Sequence, residues 1–234
     1  MFLDATDGER TCDIGIIEMA AKVWITVLTD GTIRHELTAA LISMSHDGRY
    51  ALEFHFSFAR PISSNRCLIT KRFLASDADW LLMIDNDVWP YANLLDLVEA
   101  DKDVVVFPTP ILRLGVPEPP IISNITPLNG NIVDFDEAPL VEVLRGGGSA
   151  MLLSRRVLEG VERPAFAYTF DEDGVALDDE DMYFCAKARA AGFEIWAAYS
   201  HPCGHFKEVD IVAVHSRVKQ WDYSAEGLYA VEDI

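Results

Sequence analysis

Trp80-Leu81-Leu82-Met83-Ile84 is an unbroken apolar run that stops abruptly in Asp85-Asn86-Asp87. Its length suits a strand buried on both faces and is short for a core helix. In extended chain, positions i and i+2 face the same side. Asp85 and Asp87 therefore emerge together at a strand end, where water and ligand have access. Two carboxylates so placed repel each other. A divalent cation removes that cost, and oxygen ligands suit Mg²⁺ or Mn²⁺ while leaving coordination positions for diphosphate oxygens. The plain alternative is a strand-to-turn cap, where Asp and Asn are common by propensity. The buried strand in front of the triplet favours the metal.

Working outward from that strand, 63–76 (SSNRCLITKRFLAS) begins with serine cap candidates and puts Leu68, Ile69 and Phe73 on one face, as a helix does. Leu52–Phe56 alternates and reads as a strand. Residues 34–44 carry Leu37, Leu41 and Ile42 near helical spacing. Val23–Leu28 (VWITVL) reads as a buried strand ending in the turn Thr29-Asp30-Gly31. Downstream, a helix is expected over 91–100, a strand at Val104–Phe107, and loop over the Pro-rich 108–127. Short strands follow at 141–145 and 150–153, a helix at 179–191 stopped by Gly192, and a strand at 193–199. Strands alternating with helices predict an α/β domain with a mainly parallel central sheet flanked by helices. In such sheets ligands collect at the carboxyl ends of the strands. Residues 1–20 read as an N-terminal extension or extra edge strand, and 208–234 as a C-terminal tail.

Composition bounds the partners. Half of the 234 residues are hydrophobic, which is enough apolar surface to fill a core. Acids outnumber bases 38 to 19, giving a net charge of −19. That balance disfavours a protein gripping nucleic acid by its phosphates, or an anionic membrane surface. A phosphate ligand bridged by a metal remains compatible, because the cation inverts the local charge logic. No apolar run is long enough to span a bilayer. The acidic N-terminus is unlike a secretion signal. The four cysteines, 12, 67, 185 and 203, show no CxxC spacing, so a cytoplasmic protein with reduced thiols is expected.

Three more segments carry candidate chemistry. In 171–181 (DEDGVALDDED) seven of eleven residues are acids. Asp178 or Asp179 can cap the following helix, with Glu180 and Asp181 in its first turn, where the dipole favours negative charge. The functional alternative is a general base among them; local sequence alone favours the cap. In His201-Pro202-Cys203-Gly204-His205 the alternating His201, Cys203 and His205 share one face if extended, and with Cys185 could bind zinc. Alternatively His205 completes the coordination of a metal held by Asp87, or is an ordinary loop histidine. In Arg145-Gly146-Gly147-Gly148-Ser149 the missing Cβ atoms let backbone approach a ligand, or simply make a turn. Neither a P-loop nor a GxGxxG follows the first strand.

In order and spacing, VWITVLTDG, NRCLITKRFLASDADWLLMIDNDV, RGGGSAMLLSRRVLEG and DDEDMYFCAKARAAGFEIWAAYSHPCGH resemble the glycosyltransferases of the GT-A fold, over residues 21–207. The likeness is nearest to small soluble bacterial and phage-type members. The resemblance implies a Rossmann-like single domain and a metal-dependent transfer from a nucleoside diphosphate sugar, UDP- or GDP-linked, to an acceptor hydroxyl. It implies Asp85 and Asp87 as the DxD motif and His205 as the late metal ligand, with Mn²⁺ or Mg²⁺. Asn86 lies within the donor-binding motif. Thr29 and Asp30 match the region cupping base and ribose, Arg66 an arginine facing the donor, and Gly147 and Gly148 the loop beside the transferred sugar. Glu180 and Asp181 match the ED pair, whose aspartate serves as base in inverting members. The first strand ends in Leu-Thr-Asp-Gly rather than a proline-asparagine pattern, and the QxxRW of processive relatives is absent. A nucleotidyltransferase of similar fold is the alternative enzyme, but it needs a basic glycine-rich loop where Thr29–Arg34 stands. A non-enzymatic acidic metal-binding module is the third reading.

Overall fold

Each central strand alternates side chains between two layers, and both layers are apolar. In the computed structural model, residues 20–112, 121–128, 139–209, 211–212 and 214–215 are described. The chain enters β1 (Lys22–Leu28), crosses through helix α1 (His35–Ser45) to β2 (Ala51–Ser57), and returns through α2 (Ile62–Leu74) to β3 (Trp80–Asp85). Parallel pairing runs β2–β1–β3, with Leu28 opposite both Ser57 and Asp85. The carboxyl ends of three adjacent strands therefore meet at one edge. On β3, Leu81 and Met83 face the layer of Ile69 and Phe73 from α2, whereas Leu82 and Ile84 face Leu37 and Leu41 from α1. All four of these β3 residues are fully buried.

After β3 come β4 (Val88–Pro90), a 3-10 helix (Leu94–Ala100) and β5 (Val104–Val106). The helix expected over 91–100 starts at Leu94, because Asn93 supplies its cap, its Oδ1 accepting from Leu95 N at 3.1 Å. The Pro-rich segment expected as loop contains three short strands, β6 (Pro110–Leu112), β7 (Ile121–Ser123) and β8 (Ile125–Pro127). Pro110 and Pro127 lie at strand ends and in edge pairings, where a missing N–H is tolerated. Then follow β9 (Leu140–Gly146), β10 (Ala150–Ser154), α3 (Arg155–Gly160), the hairpin β11 (Thr169–Phe170) and β12 (Ala176–Asp178), α4 (Glu180–Ala190), β13 (Ile195–Ala198) and β14 (Cys203–His205).

The main sheet has eight strands in the order β2-β1-β3-β10-β5-β13-β9-β8. β10 is antiparallel to β3 and β5, and β9 is antiparallel to β13 and β8. The other strands share one direction, so the sheet is mixed and mostly parallel, with helices on both faces. This is the expected α/β class. Two cap expectations change. α2 begins at Ile62 behind Pro61, so Ser63 and Ser64 fall inside its first turn and Pro61 makes no side-chain cap bond. Asp179 holds the cap position of α4 without a side-chain bond, and Asp178 ends β12, paired to Arg145 at 3.3 Å. The expected extension over 1–20 lies outside the described residues except for Ala20. Of the 208–234 tail, only 208, 209, 211, 212, 214 and 215 are described. Among the described residues no helix is long and apolar enough to cross a membrane.

Candidate functional site

The carboxyl ends of β1, β2 and β3 open onto a cavity of about 530 Å³. The turn after β1 forms one wall. Thr29 Oγ1 donates to Thr32 O at 2.6 Å and accepts from Gly31 N at 3.0 Å. Asp30 Oδ1 accepts from Thr32 Oγ1 at 2.9 Å and from Asn86 Nδ2 at 3.0 Å. Asn86 Nδ2 also donates to Thr32 O at 3.0 Å. The middle residue of the triplet thus clamps the β1 turn. Its backbone joins the same clamp, with Asn86 N donating to Leu28 O at 2.9 Å.

Asp85 lines the cavity at the end of β3 and is gripped from behind. Arg66 Nη2 donates to Asp85 Oδ1 at 3.2 Å, Arg66 Nε to Glu180 Oε1 at 3.1 Å, and Arg66 Nη1 to Gly148 O at 2.8 Å. The arginine side chain is 2% exposed, so the guanidinium expected to face the donor is committed inside the protein. Whatever Arg66 does for a ligand passes through Asp85. Burial pushes the Asp85 carboxyl up to about 6. Arg66 opposes the rise, while Asp87, Glu180 and Asp181 add to it.

The glycine loop closes around that guanidinium. A Cβ on Gly148 would lie 2.9 Å from Arg66 Cζ, and one on Gly147 would lie 3.0 Å from Asn124 Cβ. Close packing of side chains, rather than an open path to a ligand, explains these two glycines. Gly148 N donates to Asp181 Oδ2 at 2.6 Å, and Met182 N to Asp181 Oδ1 at 2.7 Å. Glu180 is buried on Arg66. Neither Glu180 nor Asp181 is a wall residue of the cavity, whereas Ser149, next to Gly148, is. Buried Asn124, from the Pro-rich segment, ties Thr109 N (2.8 Å), Phe107 O (3.2 Å) and Gly147 O (3.4 Å) together. Its one available sequence signal was a lone Asn inside an apolar segment.

Asp87 lines the same cavity. β14 pairs antiparallel with β4, His205 opposite Val88, which brings the imidazole across the sequence. His205 Nε2 lies 3.3 Å from Asp87 Oδ2, and Lys207 Nζ lies 2.7 Å from the same oxygen. His205 Nδ1 lies 2.7 Å from Pro110 O, a carbonyl that can only accept, so Nδ1 carries the proton. A neutral ring then turns the Nε2 lone pair toward a carboxylate. Two acceptors face each other, and the arrangement needs a positive charge. Burial raises the Asp87 carboxyl, but His205 and Lys207 outweigh it and hold the group at about 2. The Asp87 carboxylate raises the His205 imidazole. Lys207 was not singled out in the sequence, although 205 and 207 share a side of any extended segment.

The structure thus brings Asp87 and His205 together, and it holds Asp85 on Arg66. Among the described residues no three His, Cys, Asp or Glu side chains close around one point. Geometry among the described residues does not gather the zinc alternative's ligands. His201 turns to Ser200 Oγ (2.8 Å) and Asp96 (3.5 Å). Cys185 and Cys203 are buried, and burial pushes both thiols up to about 12. In donor type the pair suits a hard divalent ion, one carboxylate and one imidazole whose other nitrogen is anchored on a backbone carbonyl, with Lys207 on the same carboxylate oxygen.

No family model matches the chain, and no curated protein matches it. Among solved structures it is similar to A197 from STIV, at 22% identity and a TM-score of 0.54, over 80% of this chain and 86% of that one. This likeness shows a shared fold. Two further similar structures are GalNAc-T7 with UDP, GalNAc and Mn²⁺ and the inositol-1-phosphate CTP transferase from T. maritima. The first has 11% identity and a TM-score of 0.47, over 81% of this chain and 44% of that one. The second has 10% identity and a TM-score of 0.41, over 90% and 99%. At those TM-scores neither adds to the fold assignment.

Proposed function

We propose that the chain is a metal-dependent glycosyltransferase that moves a sugar from a nucleoside diphosphate sugar to an acceptor hydroxyl. The observation that carries this reading is the facing pair Asp87 and His205. They lie 3.3 Å apart in the lining of a cavity built from strand carboxyl ends. Asp87 and His205 would hold Mn²⁺ or Mg²⁺. When bound there, the ion supplies positive charge to the diphosphate as negative charge grows on it.

The chain's own residues divide the remaining work. Thr29 and Asp30 sit where the nucleoside enters, in a turn that Asn86 keeps rigid. Asp85 accepts ribose or sugar hydroxyls at the cavity floor, oriented by Arg66. Lys207 adds a second cation for the diphosphate. Asp181, outside the nucleotide cavity but bonded to Gly148 beside its wall residue Ser149, takes the acceptor's proton. Its carboxylate is fixed by the N–H groups of Gly148 and Met182, and each oxygen retains a lone pair for a further proton. Attack from the face opposite the leaving group gives inversion. Glu180 positions Arg66 and touches no substrate. Gly147 and Gly148 carry the loop that presents Ser149. The donor is UDP- or GDP-linked, and the net charge of −19 makes a nucleic-acid acceptor the least favoured.

A hydrolysis screen of nucleotide sugars with Mn²⁺ tests the reading without knowledge of the acceptor. Slow release of UDP or GDP from one donor is expected. Release of pyrophosphate from a nucleoside triphosphate instead assigns a nucleotidyltransferase. Asp181→Asn should bind the nucleotide normally and lose transfer; normal turnover removes Asp181 as the base.

A further inference from the structure

A second cavity, of about 390 Å³, lies along the C-terminal half of α2 and shares no wall residue with the first. Trp24 and Thr26 of β1, His55 and Ser57 of β2, and Ile69 and Arg72 of α2 form its walls. It occupies the gap between edge strand β2 and the C-terminal half of α2. The volume suits a compound of monosaccharide or hydroxy-acid size.

Polar atoms here are left over. Thr26 is 1% exposed, and among the described residues its buried Oγ1 has no hydrogen-bond partner. The indole Nε1 of Trp24 is likewise buried and unpartnered. The Trp24 ring is held from one side by His55, stacked at 3.7 Å, and from another by the edge of Phe73 at 6.4 Å. His55 Nε2 lies 3.4 Å from Glu53, which is itself paired with Lys22 at 2.6 Å. Arg72 is exposed, and among the described residues its guanidinium makes no hydrogen bond, ion pair or ring contact. Most other arginines of the described chain are engaged. Buried polar groups are as a rule satisfied, and two unsatisfied ones on side chains that line one cavity, beside an uncommitted cation, point to a missing ligand.

We propose that this cavity is a binding site for a small organic anion. Arg72 takes the carboxylate or phosphate group, which its planar fork fits. The Trp24 N–H and the Thr26 hydroxyl take acceptor atoms on the body of the same molecule. A neutral compound leaves Arg72 unused, and a bare inorganic anion leaves the interior donors unused. The chain's net charge of −19 makes non-specific anion binding unfavourable, so binding requires these residues.

The test is an NMR titration of the Trp24 indole N–H, assigned by its loss in Trp24→Phe. The probes are glucose 6-phosphate, citrate, inorganic phosphate and neutral glucose. Glucose 6-phosphate or citrate should shift that resonance saturably, in Asp87→Ala as in the wild type, while glucose leaves it in place. Whichever of the two binds distinguishes a phosphate from a carboxylate headgroup. Arg72→Gln, at an exposed and unpaired position, and Thr26→Val, of equal shape, should each weaken binding about tenfold. If neither glucose 6-phosphate nor citrate moves the resonance, if glucose or inorganic phosphate moves it equally, or if either variant binds as the wild type does, the proposal fails.

Discussion

Arg66 places a full positive charge in the interior and surrounds it with Asp85, Glu180 and Gly148 O. Breaking a buried pair from one side leaves uncompensated charge, which typically costs about 3–5 kcal/mol. Arg66→Met should therefore lower unfolding free energy by that order in urea titration, and a loss under about 1 kcal/mol would show the network to be dispensable. The same residue marks the limit of reading side chains from sequence. An arginine on an amphipathic helix before an acidic strand end is legible as part of a site. Its burial is not, because that depends on Glu180, 114 positions away, and on the missing Cβ of Gly148. Asp87 and His205 were legible as ligand types, whereas their facing geometry required the β4–β14 pairing.

At the scale of elements, β1, β3, α2 and α4 were legible because unbroken apolar runs and helical spacing fix type and length within a residue or two. The direction of β9 and β10 was not, since the two-residue alternation of a strand is the same whichever way it runs. α3 escaped because six residues hold too few turns for a pattern. It depends on its cap: Ser154 Oγ accepts from Val157 N at 3.1 Å and donates to Asp103 Oδ1 at 2.5 Å. Ser154→Ala should destabilise the protein by about 1 kcal/mol, read as a lower midpoint in chemical denaturation; an unchanged midpoint would assign the start of α3 to packing alone. The turn after α1 is tied to the 3-10 helix by Arg49, which bonds Asp47 Oδ2 at 2.7 Å, Asp96 at 2.5 Å and Glu99 at 3.1 Å. The Arg49 guanidinium holds the Asp47 carboxyl well below the usual carboxylate range. A depressed folded value stabilises the protein above the unfolded value, about 4, and that contribution is lost as pH falls below it. Stability of Asp47→Asn should thus fall less steeply than wild type below about pH 4, and parallel curves refute the linkage.

Across the whole molecule, parallel strand ends and the pairing of two distant short strands converge on one cavity, although the chain carries a charge of −19. The acidic balance that argues against phosphate ligands in general is reversed locally only if cations are gathered at Asp87. His205 and Lys207 supply positive charge there in the free protein, and the proposed function requires that a divalent ion do so with the nucleotide bound. Calorimetry of UDP and GDP, with Mn²⁺ and after chelation, on the wild type and Asp87→Ala reads this directly. One of the two nucleotides should bind the wild type with Mn²⁺, weaken at least about tenfold on chelation, and bind Asp87→Ala equally poorly with or without the ion. Affinity that is indifferent to Mn²⁺ in the wild type, or unchanged in Asp87→Ala, refutes a metal-assisted transfer site at the end of β3.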